Sequence, residues 1–270
     1  MAFLDSLISQ PAFKTLQPDI YLMDDGSTDG TAVAVKAKYP QVNVVTGSGT
    51  LYWAGGMLAI WKHALAQYTY DVYLLLNDDV VLMPDSVERL MDCYARVKDN
   101  GTVLIGSTLS SVTNTISYGG YALYRPDHAN YYMLKPDNQE PVRCELANAN
   151  IFLVDALTVQ KIGLFSDAYT HYLADFDYTI TAYKAGLDVW IAPGYYGYCE
   201  DDHGANWLPG TYSLKERIKY LYSPKGLAYK EYLIYIKKHF PADYLSAVSK
   251  LWLKTLFPII WDKFKRREIQ

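Results

Sequence analysis

Short apolar runs alternate with longer stretches of helical period through residues 19–106. Asp19-Ile20-Tyr21-Leu22-Met23 reads as a buried strand, residues 42–45 as a second and residues 72–76 as a third. The third has no polar alternation and is expected to be buried on both faces. Between them, residues 31–39 read as a helix stopped by Pro40. Residues 54–67 read as another, with Met57, Leu58, Trp61 and Leu65 on one face. Residues 84–97 read as a helix opening on a proline, where the missing N–H costs nothing. Residues 102–106 form a fourth strand. This alternation predicts a mostly parallel sheet with helices on both sides.

Residues 116–124 and 142–154 are β-rich, with Gly119-Gly120 and Pro126-Asp127 as turn signals. Residues 176–185 return to a helix that Gly186 closes in the left-handed cap position. Residues 189–192 read as one more buried strand. Three helices are expected after Ser213, over residues 214–222, 227–239 and 242–256, the first two with Lys and Arg on one side and Leu, Tyr and Ile on the other.

Composition narrows the class. Of 270 residues, 50% are hydrophobic and 20% charged, which excludes disorder, collagen and a disulfide-stapled mini-protein. The three cysteines are far apart, show no zinc-ribbon spacing and suit a reducing compartment. No signal peptide or membrane span is expected. The 26 tyrosines fit either sugar-stacking surfaces or plain compositional drift. Residues 214–270 carry 13 Lys/Arg against 5 Asp/Glu, whereas residues 1–213 carry 12 against 24. That shift marks a boundary, giving a domain over 1–212 and a basic segment over 213–270. The basic segment, with Trp252, Phe257, Trp261 and Phe264, suits an anionic membrane surface. Packing against the acidic domain would use the same charges. Nucleic acid is not expected as a partner.

In an open parallel sheet, ligands bind beyond the carboxyl ends of the strands. Two loops there are acidic: Asp24-Asp25-Gly26-Ser27-Thr28-Asp29-Gly30 and Asn77-Asp78-Asp79. Each alone has a structural reading: the first as a turn in which Ser27 or Asp29 caps the next helix, the second as the acidic residues that commonly follow a strand. Carboxylates crowded at one sheet edge repel unless a cation joins them, and oxygen donors favour Mg²⁺ or Mn²⁺ over zinc.

With "IYLMDDGSTDGT", "LLLNDDVVLMPDSVERL" and "HYLADFDYTITAYKAGLDVW" in this order, the chain resembles a family-2 glycosyltransferase of the GT-A fold over roughly residues 3–207. The resemblance implies an α/β domain with a helical C-terminal tail. It also implies inverting, metal-dependent transfer of a hexosyl or deoxyhexosyl group from a nucleotide-sugar to a hydroxyl, in bacterial surface polysaccharide synthesis. Asp24 or Asp25 would contact the base or ribose. Asp79 would hold the metal, Asp78 would touch the ribose or the metal shell, and Asn77 stands at the first position of the DxD-type motif. The segment 49–56, with Trp53 and Gly55, would face the donor. Asp175 would be the general base, with N-capping as its structural alternative. Asp177 is either a second acidic candidate near the acceptor or a first-turn residue favoured by the helix dipole. His203 would complete the metal site, and Trp207 would stack on a sugar. The acceptor would be a saccharide or lipid-linked. The expected location is the cytoplasm, peripheral at the inner face of the cell membrane if the tail engages lipid.

One departure stands out. Such proteins usually begin with a strand that cradles the base, but here residues 2–10 already look like the following helix. A sheet lacking that central strand leaves buried backbone groups unpaired, at about 1–3 kcal/mol each. Two rival readings follow. One is a catalytically degenerate sugar- or nucleotide-binding or scaffold protein. The other is a sugar-phosphate nucleotidyltransferase, which the lack of an early glycine-rich basic loop disfavours.

Overall fold

The computed structural model describes residues 1–201 and 209–259. The chain opens with two short helices, α1 (Ala2–Ile8) and α2 (Phe13–Leu16). There follow β1 (Ile20–Asp24), α3 (Thr31–Lys38), β2 (Val42–Thr46), α4 (Tyr52–Gln67) and β3 (Val72–Leu76). A two-residue strand β4 (Val81–Leu82) leads into α5 (Ser86–Val97) and the long β5 (Thr102–Leu109). The β-rich middle is β6 (Ile116–Tyr118), β7 (Gly120–Leu123), β8 (Tyr131–Met133), β9 (Val142–Arg143), β10 (Leu146–Ala147) and β11 (Ile151–Asp155). Then come α6 (Ala156–Ile162), α7 (Ala174–Lys184), β12 (Asp188–Tyr198), α8 (Leu214–Tyr222), α9 (Tyr229–His239) and α10 (Tyr244–Leu256).

The main sheet runs β3-β11-β5-β12-β4, with β6 beside β5 and β9 beside β12. β12 lies parallel to β5, but β11 runs antiparallel to both of its neighbours, β3 and β5. β3, β5 and β12 thus share one direction, as the strand-helix alternation predicted for a mostly parallel sheet, and β11 is the reversed strand among them. The hairpins of the middle segment return the chain in the opposite sense, and β11 slots between two strands that share a direction. β1 and β2 pair in parallel with each other and with no other described strand.

Side-chain alternation sorts the core into two layers. Val103, Ile105, Phe152 and Val154 point into one, beneath α4, α7 and α9. Leu104, Ile151 and Leu153 point into the other, beneath α1 and α5. β3 is not fully covered: Tyr73 and Leu75 are buried, but Val72, Leu74 and Leu76 are only half-buried. Its far edge has no partner strand among the described residues, which accounts for the difference from the expected two-sided burial.

The basic C-terminal helices share this core. Leu233, Tyr235, Ile236, Phe240 and Ala247 join the layer that contains α7. A capping box starts α8, in which Ser213 and Glu216 bond reciprocally. The outward side of α10 keeps Leu245, Leu253 and Leu256 exposed, continued by Phe257 and Ile259. Trp261 and Phe264 lie outside the described residues. No described helix is long and apolar enough to cross a membrane. All three cysteines are buried and unpaired.

Candidate active site

The turn after β1 is shaped by its own two carboxylates. Asp24 is buried, and its Oδ1 accepts the Ser27 N–H at 2.9 Å. Gly26 closes the turn at φ +77°, a conformation open to glycine. Asp25 reaches the other way. Its Oδ1 accepts the Gly49 N–H at 2.7 Å, and its Oδ2 accepts the N–H groups of Leu51 and Tyr52 at 2.7 and 3.2 Å. Asp25 thereby ties β1 to the loop that opens α4. Gly47 passes so close that a β-carbon there would lie 2.6 Å from Asp25 Oδ1.

The second acidic turn is fixed from two sides. The Asn77 N–H donates to the Asn150 carbonyl at 3.1 Å, and Asn77 Oδ1 accepts the Trp53 indole N–H at 2.8 Å. Trp53 packs on Phe165 with ring centroids 5.9 Å apart, so its polar tip and one part of its ring are already engaged. The N–H groups of Ala54 and Gly55 both donate to the Thr170 carbonyl. A β-carbon on Gly55 would meet only ordinary contacts, so space does not demand glycine there. Asp78 and Asp79 are exposed and, with Asp25, Tyr52, Trp53 and Asn77, line a cavity of about 1550 Å³.

Asp175 lies in the first turn of α7, one residue inside the helix rather than at its cap. Its Oδ2 accepts the Ala149 N–H at 3.2 Å and its Oδ1 accepts the Phe176 N–H at 2.9 Å. Ala149 and Asn150 are consecutive, so one step of backbone carries both Asp175 and Asn77. The Tyr121 hydroxyl donates to Asn148 Oδ1 at 2.8 Å. Its pKa is pushed up by burial first, then by Tyr131, Asp175 and Asp201, which puts all three acidic groups in one field. Tyr131 is also pushed up, by burial, Tyr232 and Asp175.

Asp177, two residues on, has a different fate. Its carboxylate is 5% exposed and receives Lys238 at 2.8 Å, His239 Nε2 at 2.7 Å and the Tyr169 hydroxyl at 2.9 Å. Burial raises its pKa, but the hydrogen bonds from His239 and Lys238 outweigh that and hold it below the usual carboxylate range. Burial pushes His239 down. Asp177 thus bolts α7 to α9 from the first turn of α7, the second of the two places the sequence allowed it. His203 and Trp207 lie outside the described residues.

Inside the quoted segments some residues had no role assigned from sequence, and Lys225 lies outside them altogether. Tyr52 and Leu173 adopt left-handed backbone at φ +55° and +72°, and non-glycine residues held there often mark functional sites. The Tyr52 ring lies 5.9 Å from that of His171. Lys225, from the loop between α8 and α9, brings its Nζ 6.0 Å from the centre of the Tyr52 ring. Asp25, Gly49, Thr50, Tyr52, Trp53, His171 and Lys225 enclose a second cavity of about 270 Å³. A cation so remote in sequence could be found only through the fold.

Two solved structures share the architecture. One is GalNAc-T7 with UDP, GalNAc and Mn²⁺, at a TM-score of 0.53 and 15% identity over 70% of this chain. The chain spans 39% of that protein's length. The other is the mannosyltransferase PcManGT from Pyrobaculum calidifontis with GDP-Man and Mn²⁺, at 0.53 and 13% identity over 97% of this chain and 68% of that one. At such identities the likeness concerns the fold, which is of the GT-A type. No curated protein matches the sequence. A family model described as glycosyl transferase family 2 matches residues 2–143. That is more than half of the 270-residue chain, and the chain belongs to this family.

Proposed function

We propose that the chain transfers a sugar, with inversion, from a nucleotide-sugar to a hydroxyl acceptor. The observation that carries this reading is the Ala149–Asn150 step, which holds Asp175 and Asn77 at one end of the sheet. A base and a donor-binding turn on the same stretch of backbone keep their separation without relying on long side chains. Asp25 fixes the loop at the donor side. Lys225 adds a positive charge beside the small cavity, where diphosphate oxygens need one.

The fold family implies a divalent cation, and the donor set fits one. Among the described residues no group of three or more His, Cys, Asp and Glu converges. Asp78 and Asp79 instead offer exposed carboxylate oxygens. One or two carboxylates completed by substrate phosphates is the usual way Mg²⁺ is held. Asp79 would hold it, with Asp78 on its shell or on the ribose. Mg²⁺ or Mn²⁺, when bound, neutralises charge on the diphosphate leaving group. Asp175 takes the proton of the acceptor hydroxyl as its oxygen bonds to the anomeric carbon and the bond from that carbon to the diphosphate breaks. The two backbone N–H groups on Asp175 orient the carboxylate for this work.

The reading extends to an acceptor that is a saccharide or lipid-linked, in polysaccharide synthesis at a membrane face. The exposed apolar side of α10, with Lys250 and Lys254 on the same helix, supports a peripheral contact with anionic lipid. Calorimetry with UDP and GDP, with and without Mn²⁺, tests the core of the proposal. Binding should require the cation and vanish in Asp79→Ala. Asp175→Asn should keep that binding while turnover of the responsive donor falls by about 10²–10⁴. Nucleotide binding with no donor turnover in the native chain points to the degenerate binding protein instead.

A further inference from the structure

The first turn of α4 is held from outside its own helix. A helix opens with N–H groups that its own backbone cannot bond. Leu51, the residue before α4, supplies no side-chain cap. Asp25 takes the N–H groups of Leu51 and Tyr52, and the Thr170 carbonyl takes those of Ala54 and Gly55 at 3.1 and 3.2 Å. Thr170 is itself tied on its other side. Its N–H donates to Oε2 of Glu231, in the first turn of α9, at 3.1 Å. An unbroken path of hydrogen bonds therefore runs from α9, through the backbone of one residue, to the turn that presents Tyr52 and Trp53.

The surroundings of this path are stiff. Tyr169, the preceding residue, has its hydroxyl on Asp177, which Lys238 and His239 hold from the far end of α9. The turn that leads into α9 is tight as well. Leu227 N–H donates to the Tyr220 carbonyl at 3.1 Å and Ala228 N–H to the Ser223 carbonyl at 3.2 Å, and a β-carbon on Gly226 would run into Tyr220. That turn carries Lys225. Charge does not account for Glu231. It adds a carboxylate one residue from His171, which lines the small cavity, where a diphosphate would prefer none. An acid in a first helical turn is favoured by the helix dipole, but the dipole does not require that it be aimed at Thr170.

We infer that Glu231 is a positioning residue for donor binding. The inference rests on the donor reading of the site given above. Glu231 acts through Thr170 and touches no ligand. With the Thr170 N–H fixed on a carboxylate, a charge-assisted bond, the carbonyl of the same residue stays aimed at Ala54 and Gly55. The first turn of α4 is then set before a nucleotide arrives, and binding does not have to order it. Without Glu231 the Thr170 carbonyl can turn away, and Tyr52 and Trp53 lose their fixed place beside the small cavity. α9 thereby serves the donor side of the site as well as the core.

The test pairs calorimetry of the full chain, with UDP and GDP in the presence of Mn²⁺, with hydrogen exchange. Glu231→Ala should weaken binding of the responsive nucleotide by about ten-fold or more, the size expected for losing a hydrogen bond to a charged group. Exchange should quicken at the amides of Thr170, Ala54 and Gly55, while those of β5 and β11 keep their protection. Glu231→Gln keeps an oxygen for the Thr170 N–H and should recover most of the affinity. The sign of the effect is informative, because removing a carboxylate from beside an anion site would by charge alone tighten binding. Tighter or unchanged binding in Glu231→Ala would overturn the inference. So would a Gln variant as weak as the Ala variant, since the carboxylate would then act by its charge. Faster exchange throughout the sheet would also overturn it, by marking a general loss of stability. A native chain that binds neither nucleotide sinks the donor reading and takes this inference with it, whereas native binding with an unaffected Glu231→Ala variant defeats the inference alone.

Discussion

β11 and β1 are both five-residue strands, and the sheet treats them oppositely. Every residue of β11 is buried, and the strand is paired along both edges. In β1 Asp24 alone is buried, and β2 is its sole strand partner among the described residues. The candidate active site draws on both situations. Asp25 hangs from the open half, Asn77 to Asp79 from the edge strand, and Asp175 from a helix packed on the closed half. Donor-side groups thus sit on the less constrained ground, while the candidate base is anchored to the core. Regions with fewer buried contacts open more readily.

The comparison breaks if the closed half proves replaceable. Phe152→Ala removes a fully buried ring from β11 and should cost about 3–5 kcal/mol in urea unfolding. Asp177→Ala should cost a similar amount, about 3–5 kcal/mol, by leaving Lys238 and the buried His239 without their carboxylate. A loss below about 1 kcal/mol in either variant would mean that the α7–α9 layer is not what holds this half together.

The same bolt gives stability a pH dependence of smaller size, because both partners remain in place. The folded pKa of His239 lies below its ordinary value of 6.5, chiefly through burial. Between that folded value and 6.5 the unfolded chain binds the extra proton, so stability rises with pH across that window and falls as pH drops through it. Asp177, also held below its ordinary 3.8, adds a second loss as pH falls through its own folded value. Tm followed from pH 8 to pH 5 should therefore decline in the native protein. His239→Gln keeps a donor for Asp177 and should flatten that decline. An identical slope in the variant would assign the dependence to other groups.

How much of this the sequence could show depends on whether a feature is local. The bounds of β3 were readable because five apolar residues lie between polar ones. β12 was readable only as two pieces, residues 189–192 and the strand-like residues 195–198, because Pro193-Gly194 looks like a break. In the structure the strand continues to Tyr198 past a register shift, with Gly194 at φ +77°. The reversed direction of β11 was invisible, since apolar pattern sets burial and not direction. The two acids of α7 were equally visible as acids. What separates them is Ala149 beside one and His239 beside the other, both distant in sequence. Likewise the acidic turns and the segment 49–56 were legible as motifs, while Lys225 and the left-handed backbone of Tyr52 were not.

The finest test lies in the open half itself. Leu22 sits in the middle of β1, half-buried, with its side chain toward the α1 and α5 layer. Leu22→Ala should cost about 1–2 kcal/mol at most, since part of that side chain already lines the larger cavity rather than meeting packed atoms. The more telling quantity is where the loss is felt. If β1 and β2 open as a unit on their own, the substitution should speed hydrogen exchange throughout residues 20–24 and 42–46. Amides of β5 and β11 should keep the protection of the native protein. If exchange instead rises equally in β11, the two sheets unfold together and the contrast between them is one of exposure alone.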